Sequence, residues 1–96
     1  MTTKVIGLIR LTDPAAFEIY RSQVGATVEK YRGQVAFRGQ PQSPFWNELD
    51  CGEFDAYVEL TFPCPEDAQA WATSPEYREL LAIRSQAMRL TLFAVR

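Results

Sequence analysis

The sequence predicts an α+β domain of order βαββαβ, with two helical segments on one face of a four-stranded, antiparallel-type sheet. Three observations carry this. Short apolar or alternating runs recur at residues 4–11, 34–39, 54–62 and 90–95. Two longer stretches, after the first run and after the third, place apolar residues at steps of three and four. Each stretch also holds a helix-start pair, Asp13-Pro14 in the first and Ser74-Pro75 in the second.

Residues 4–11 are rich in β-branched side chains and form the first strand. Asp13 suits the N-cap and Pro14 the first helical position. Phe17, Tyr20, Val24, Val28 and Tyr31 then make one apolar helix face. Gly25 interrupts that helix at a cost of about 1 kcal/mol relative to Ala. Arg32-Gly33 closes it, with Gly33 expected in the left-handed conformation.

Residues 34–39 form the second strand. Residues 40–53 contain Pro41, Pro44, Phe45, Trp46 and Cys51, and are too long for a tight hairpin. Two readings of this loop stand: a lid over a pocket, or an arm that reaches a second subunit. In the third strand Phe54, Ala56, Val58, Leu60 and Phe62 share one face, and Asp55, Tyr57, Glu59 and Thr61 the other. This strand is expected between the first two. Pro63-Cys64-Pro65-Glu66-Asp67 opens the second helical region, which passes Trp71 and restarts at Ser74. There Ser74 accepts free N–H groups, and Glu76 suits the positive end of the dipole. Tyr77, Leu80, Leu81, Arg84 and Met88 continue at helical spacing, and residues 90–95 form the last strand.

Ninety-six residues make one domain, residues 1–96, whose fold buries roughly 60–65% of the unfolded surface. A hydrophobic fraction of 47% argues against a disordered chain. Ten basic and twelve acidic residues give a net charge of −2 with no basic stripe, which argues against nucleic acid as a partner. No apolar run approaches a membrane span, and the N-terminal residues lack a signal-peptide core, so the expectation is a cytoplasmic protein. The chain has no histidine. That removes Ser-His-Asp and Cys-His nucleophile systems and histidine-ligated haem, and disfavours catalytic zinc. Two cysteines without CxxC spacing do not make a metal site. No cofactor is expected, and acid–base chemistry falls to Asp, Glu, Tyr, Lys, Arg or water.

Two helices cover only one face of such a sheet. The other face is largely apolar whichever alternating sets it carries, so a homodimer is expected to cover it.

Several segments, TDP before the first helix, KYRG closing it, FRG on the second strand, ELTFP before the second helical region, and WATSPEYRELLAIR, resemble the DUF1330 family over nearly the whole chain. The resemblance implies a ferredoxin-like fold of the dimeric α/β-barrel group, whose members include cofactor-independent monooxygenases, isomerases, cyclases and haem enzymes. The chain departs from the family pattern at Arg32-Gly33 and Gly39-Gln40, where the family usually has paired glycines. It departs again at Thr61, where the family usually has an acid.

Glu59 is the first candidate for acid/base chemistry, because burial in an apolar strand raises a carboxyl pKa. A structural ion pair with Arg10 or Arg38 is the other reading. Arg38 and Arg84 are candidates to hold a carboxylate or enolate oxygen through forked donors, against a plain salt-bridge role. Tyr20, Trp46, Tyr57, Trp71 and Tyr77 are candidate substrate contacts, and core packing competes with that for the helical ones. Cys64 at a helix start is a weaker nucleophile candidate without a histidine. The expected function is cofactor-independent proton transfer, of isomerase or cyclase type, on a small, partly aromatic carbonyl compound, with a place in biosynthesis. Non-catalytic ligand binding is the alternative, and cofactor-independent monooxygenation is a third reading.

Overall fold

The computed structural model describes residues 2–96 and has the expected α+β architecture. Its elements are β1 (Thr3–Leu11), α1 (Pro14–Lys30), β2 (Gln34–Gly39), β3 (Ala56–Phe62), α2 (Pro65–Ala72), α3 (Pro75–Arg78), α4 (Leu81–Ala87) and β4 (Met88–Val95). The strands lie in the order β2-β3-β1-β4, every neighbouring pair antiparallel, with β3 between β2 and β1 as expected. Alternation sends Val5, Ile9, Leu60 and Phe62 into one core with Val28, Trp71 and Tyr77 from the helical side. No helix among the described residues is long and apolar enough to cross a membrane.

The cap of α1 follows the sequence: Asp13 accepts from the N–H groups of Ala15 at 3.1 Å and Ala16 at 3.2 Å. The C-terminus does not. Arg32, with φ 69°, takes the left-handed position, and Gly33 has no positive φ. The N–H of Gly33 bonds the carbonyl of Val28 and that of Arg32 bonds Glu29, each at 3.0 Å, which is a Schellman closure one residue early. Gly33 is needed for space instead: a Cβ there would lie 2.5 Å from the ring of Phe62. Arg32 reaches Asp67 at 2.8 Å and ties the end of α1 to α2.

The second helical region breaks into three pieces. Ser74 accepts from the N–H of Tyr77 at 3.1 Å and donates to the carbonyl of Trp71 at 2.7 Å, which confirms the restart. A further turn follows Arg78 and seats Leu80 in the core while Leu81 remains partly exposed. Met88 is not helical. Its backbone is extended and it pairs with Leu11, so β4 starts before residue 90. β3 in turn starts at Ala56 rather than residue 54. Asp55 closes the end of the ladder: its carboxylate accepts from the N–H of Leu11 at 2.8 Å, and its own N–H donates to Ile9.

A bulge at Ala36 shifts β2. Val35 pairs with Leu60 and Phe37 with Glu59, so Val35 and Phe37 lie on opposite faces. Arg38, opposite Val58, joins Val35 on the helix-covered face. The open face carries Ile6, Leu8, Phe37, Tyr57, Glu59, Phe93 and Val95, of which Phe37 is 55% exposed and Phe93 46%.

Candidate functional site

A cleft of about 340 Å³ lies between α1 and the helix-covered face of the sheet. Its floor is apolar: Ile9, Val58 and Leu60 from the central strands, Leu90 and Leu92 from β4. Phe17, Tyr20 and Val24 form the roof because they recur on one face of α1, and Trp71 closes the side toward α2. Four charged or amide side chains also line it. Arg38 and Gln40 come from the end of β2, Asp55 from the entry to β3, and Arg21 from α1. Antiparallel pairing brings the end of β2 and the start of β3 to the same edge, so a ligand would meet its polar partners at one end of an otherwise oily slot.

Behind the roof lies a buried polar chain. The hydroxyls of Tyr20 and Tyr77 are 2.9 Å apart, and Arg84 donates to the Tyr77 oxygen at 3.0 Å. Burial, reinforced by Tyr77, pushes the Tyr20 phenol far above its ordinary value. Tyr20 is therefore a permanently protonated wall group. Trp71 donates to Thr27 at 3.0 Å and packs its ring 4.5 Å from that of Tyr77, centroid to centroid. Tyr20 and Trp71 line the cleft, while Tyr77 and Arg84 stand behind them. The aromatic cluster read from the sequence thus serves as core and cleft wall together.

Glu59 lies elsewhere. It is on the open face, where it accepts from the Tyr57 hydroxyl at 2.7 Å and sits 3.6 Å from the Lys4 ammonium. The sheet separates it from Arg38, and Lys4 rather than Arg10 or Arg38 is its ionic partner. The hydrogen bond to Glu59 raises the Tyr57 phenol, and the Tyr57 ring packs edge-on against Phe37 with centroids 6.1 Å apart. Trp46 is 82% exposed at the loop tip and contributes nothing to the cleft lining. Cys64 occupies the N-cap of α2 without a side-chain capping hydrogen bond. Of the candidate site residues, Arg38, Tyr20 and Trp71 meet at the cleft, and Tyr57 borders it from β3 while its hydroxyl bonds Glu59 on the open face.

Asp55 was not singled out from the sequence. Alternation alone assigns it to the outward face with Tyr57, Glu59 and Thr61. The available signal is its place directly after the long loop, one residue before β3 begins. No group of three or more His, Cys, Asp or Glu side chains comes together as a metal site among the described residues.

A four-stranded antiparallel sheet with helices on one face, and a cleft between the two layers, defines a ferredoxin-like α+β protein. The chain belongs to the DUF1330 family, a domain of unknown function, whose sequence model matches residues 4–96. No curated protein matches the chain. Among solved structures it is similar to the RPA0582 protein of unknown function from Rhodopseudomonas palustris, with 22% identity, a TM-score of 0.78, and 98% of this chain and 80% of that chain covered. It is similar to SnoaB, a cofactor-independent oxygenase from Streptomyces nogalater, with 9% identity, a TM-score of 0.68, and coverage of 99% and 91%. A dimeric protein of unknown function and ferredoxin-like fold from Bacteroides fragilis is similar with 15% identity, a TM-score of 0.58, and coverage of 99% and 95%. At these identities the likeness establishes the fold.

Proposed function

We propose that the cleft binds a small, partly aromatic carbonyl compound and catalyses cofactor-independent proton transfer on it, of the isomerase or cyclase kind. The observation that carries this reading is the apolar cleft with Arg38 and Asp55 at one edge. In the proposed step the Asp55 carboxylate takes a proton from the carbon beside the carbonyl. The electron pair moves to the carbonyl oxygen, and the Arg38 guanidinium holds the resulting enolate. Return of the proton to a different carbon gives the isomer, and attack of the enolate carbon on a second carbonyl closes a ring. Asp55 replaces Glu59 in the base role because Glu59 is on the other face of the sheet.

The working unit is proposed to be a homodimer that covers the open face, and the exposure of Phe37, Phe93 and Val95 supports it. A dimeric relative of the same fold is consistent with it. Two free cysteines fit the reducing cytoplasm.

The test is deuterium exchange at the carbon beside the carbonyl of a small arylpyruvate, followed by NMR in heavy water. The expected result is protein-accelerated exchange, lost in Asp55→Asn and with weakened substrate binding in Arg38→Gln. Saturable binding without exchange would leave the ligand-binding alternative, and turnover that stops without dioxygen would move the assignment to an oxygenase.

A further inference from the structure

We infer that the sheet carries a second ligand site on its other face: an oxyanion site formed by Arg10 and Arg89, suited to a small organic carboxylate or phosphate monoester. The two arginines are direct partners in the β1–β4 ladder. Residues paired in this way hold their Cβ atoms about 4.5–5.5 Å apart, a position in which like charges repel. Neither forms a salt bridge with any described residue. The fold therefore places two arginines without a salt-bridge partner directly opposite each other in the ladder, on the lining of one cavity.

A separate cavity of about 500 Å³ opens over them. Leu8 and Thr91, another direct cross-strand pair, line it beside the arginines. Cys51, Gly52, Glu53 and Phe54, the return of the long loop, form its wall. That wall holds Arg10 in place, because Arg10 Nε donates to the carbonyl of Glu53 at 3.1 Å. Gly52 permits the approach: a Cβ there would lie 3.2 Å from Arg10 Nη2. With Nε engaged, the terminal amino groups of Arg10 and the whole fork of Arg89 remain for a ligand. Such forks match the paired oxygens of carboxylate and phosphate. The Thr91 hydroxyl adds a donor, and Leu8 adds apolar surface for an organic body. With only ten basic residues against twelve acidic ones, the chain lacks the extended positive field that a polyanion requires, so the occupant is a small anion. The site stands at the edge of the apolar patch, where β1 leaves the sheet, and does not depend on the chemistry proposed for the cleft.

The test uses the full chain, with phosphate and benzoate as probes and chloride at matched ionic strength as the control. Saturable shifts of the Arg10 and Arg89 Nε–H signals are expected, together with a melting temperature that rises with either probe beyond the chloride control. Arg89→Gln should abolish both responses and raise the melting temperature in chloride alone, since the repulsion is gone. Arg89→Lys keeps the charge and should weaken binding roughly tenfold or more, because the fork is lost. Arg38→Gln should leave the shifts intact. Equal responses to chloride, or full responses in Arg89→Gln, would overturn the site. Responses that follow protein concentration and subunit association would assign the arginines to a carboxylate of the second copy, which also overturns it.

Discussion

The ring of Phe62 fills the space that a side chain at Gly33 would occupy, with the nearest ring carbon 2.5 Å from where a Cβ would stand. Phe62 is 1% exposed and packs against Trp71, so it cannot move aside. Gly33→Ala is therefore expected to lose about 1–3 kcal/mol through overpacking, although the backbone there is ordinary. Gly25→Ala, where a Cβ meets nothing, should gain up to about 1 kcal/mol from helix propensity. Denaturant melts of the two variants check this pair, and equal effects would contradict the packing account.

Tyr77 bridges α3 to α1 through Tyr20 and receives a hydrogen bond from Arg84. Tyr77→Phe leaves both partners short of a hydrogen bond and should cost about 1–3 kcal/mol. Tyr20→Phe leaves the Arg84 bond to Tyr77 in place and should cost less. The double variant should cost less than the sum, since both single changes break the same bond. Strict additivity in chemical denaturation would count against a shared bond.

Glu76 is held to about 2, below its ordinary 4.5, by hydrogen bonds from the Lys30 ammonium and the Tyr31 hydroxyl. The folded state thus binds this proton less tightly than the unfolded chain. Its contribution to stability is complete above about 4.5 and disappears as pH falls toward about 2. Glu76→Gln should melt lower than the parent at neutral pH, and the two melting curves should converge as the pH approaches 2. A constant gap across that window would refute the linkage.

Glu59→Gln and Arg38→Gln should separate cleanly. Glu59 contacts Tyr57 and Lys4 on the open face, so its substitution should leave cleft binding unchanged and cost about 1 kcal/mol of stability or less. Arg38 lines the cleft, so its substitution should weaken binding of an aromatic carboxylate while the melting temperature changes little. Calorimetric titration of both variants decides the matter.

Light scattering should give about twice the chain mass of 10.9 kDa, and Phe93→Glu on the open face should return the monomer mass. A parent protein already monomeric at micromolar concentration would remove the dimer.

The architecture was readable because caps and alternation are local. Asp13, Ser74 and the inward set Val58, Leu60 and Phe62 each declared themselves within a few residues. The cleft was less readable because its polar edge depends on non-local pairing. The extra residue at Ala36 reverses the parity of β2, so simple alternation cannot tell which face receives Arg38. Gly33 shows the same limit. Its type suggested a backbone role, while its reason for being there is a ring donated by a strand nearly thirty residues away.

The chain's two tryptophans sit at opposite extremes, Trp71 at 1% exposure beside the cleft and Trp46 at 82% on the loop. Indole emission shifts with the polarity around the ring, and a dissolved quencher reaches only a ring that meets water. The protein thus carries two separable optical channels without any label. Filling of the cleft alters the emission that a quencher leaves behind, and anything that settles on the loop alters the part the quencher removes. A single quenching titration can therefore distinguish occupancy from docking.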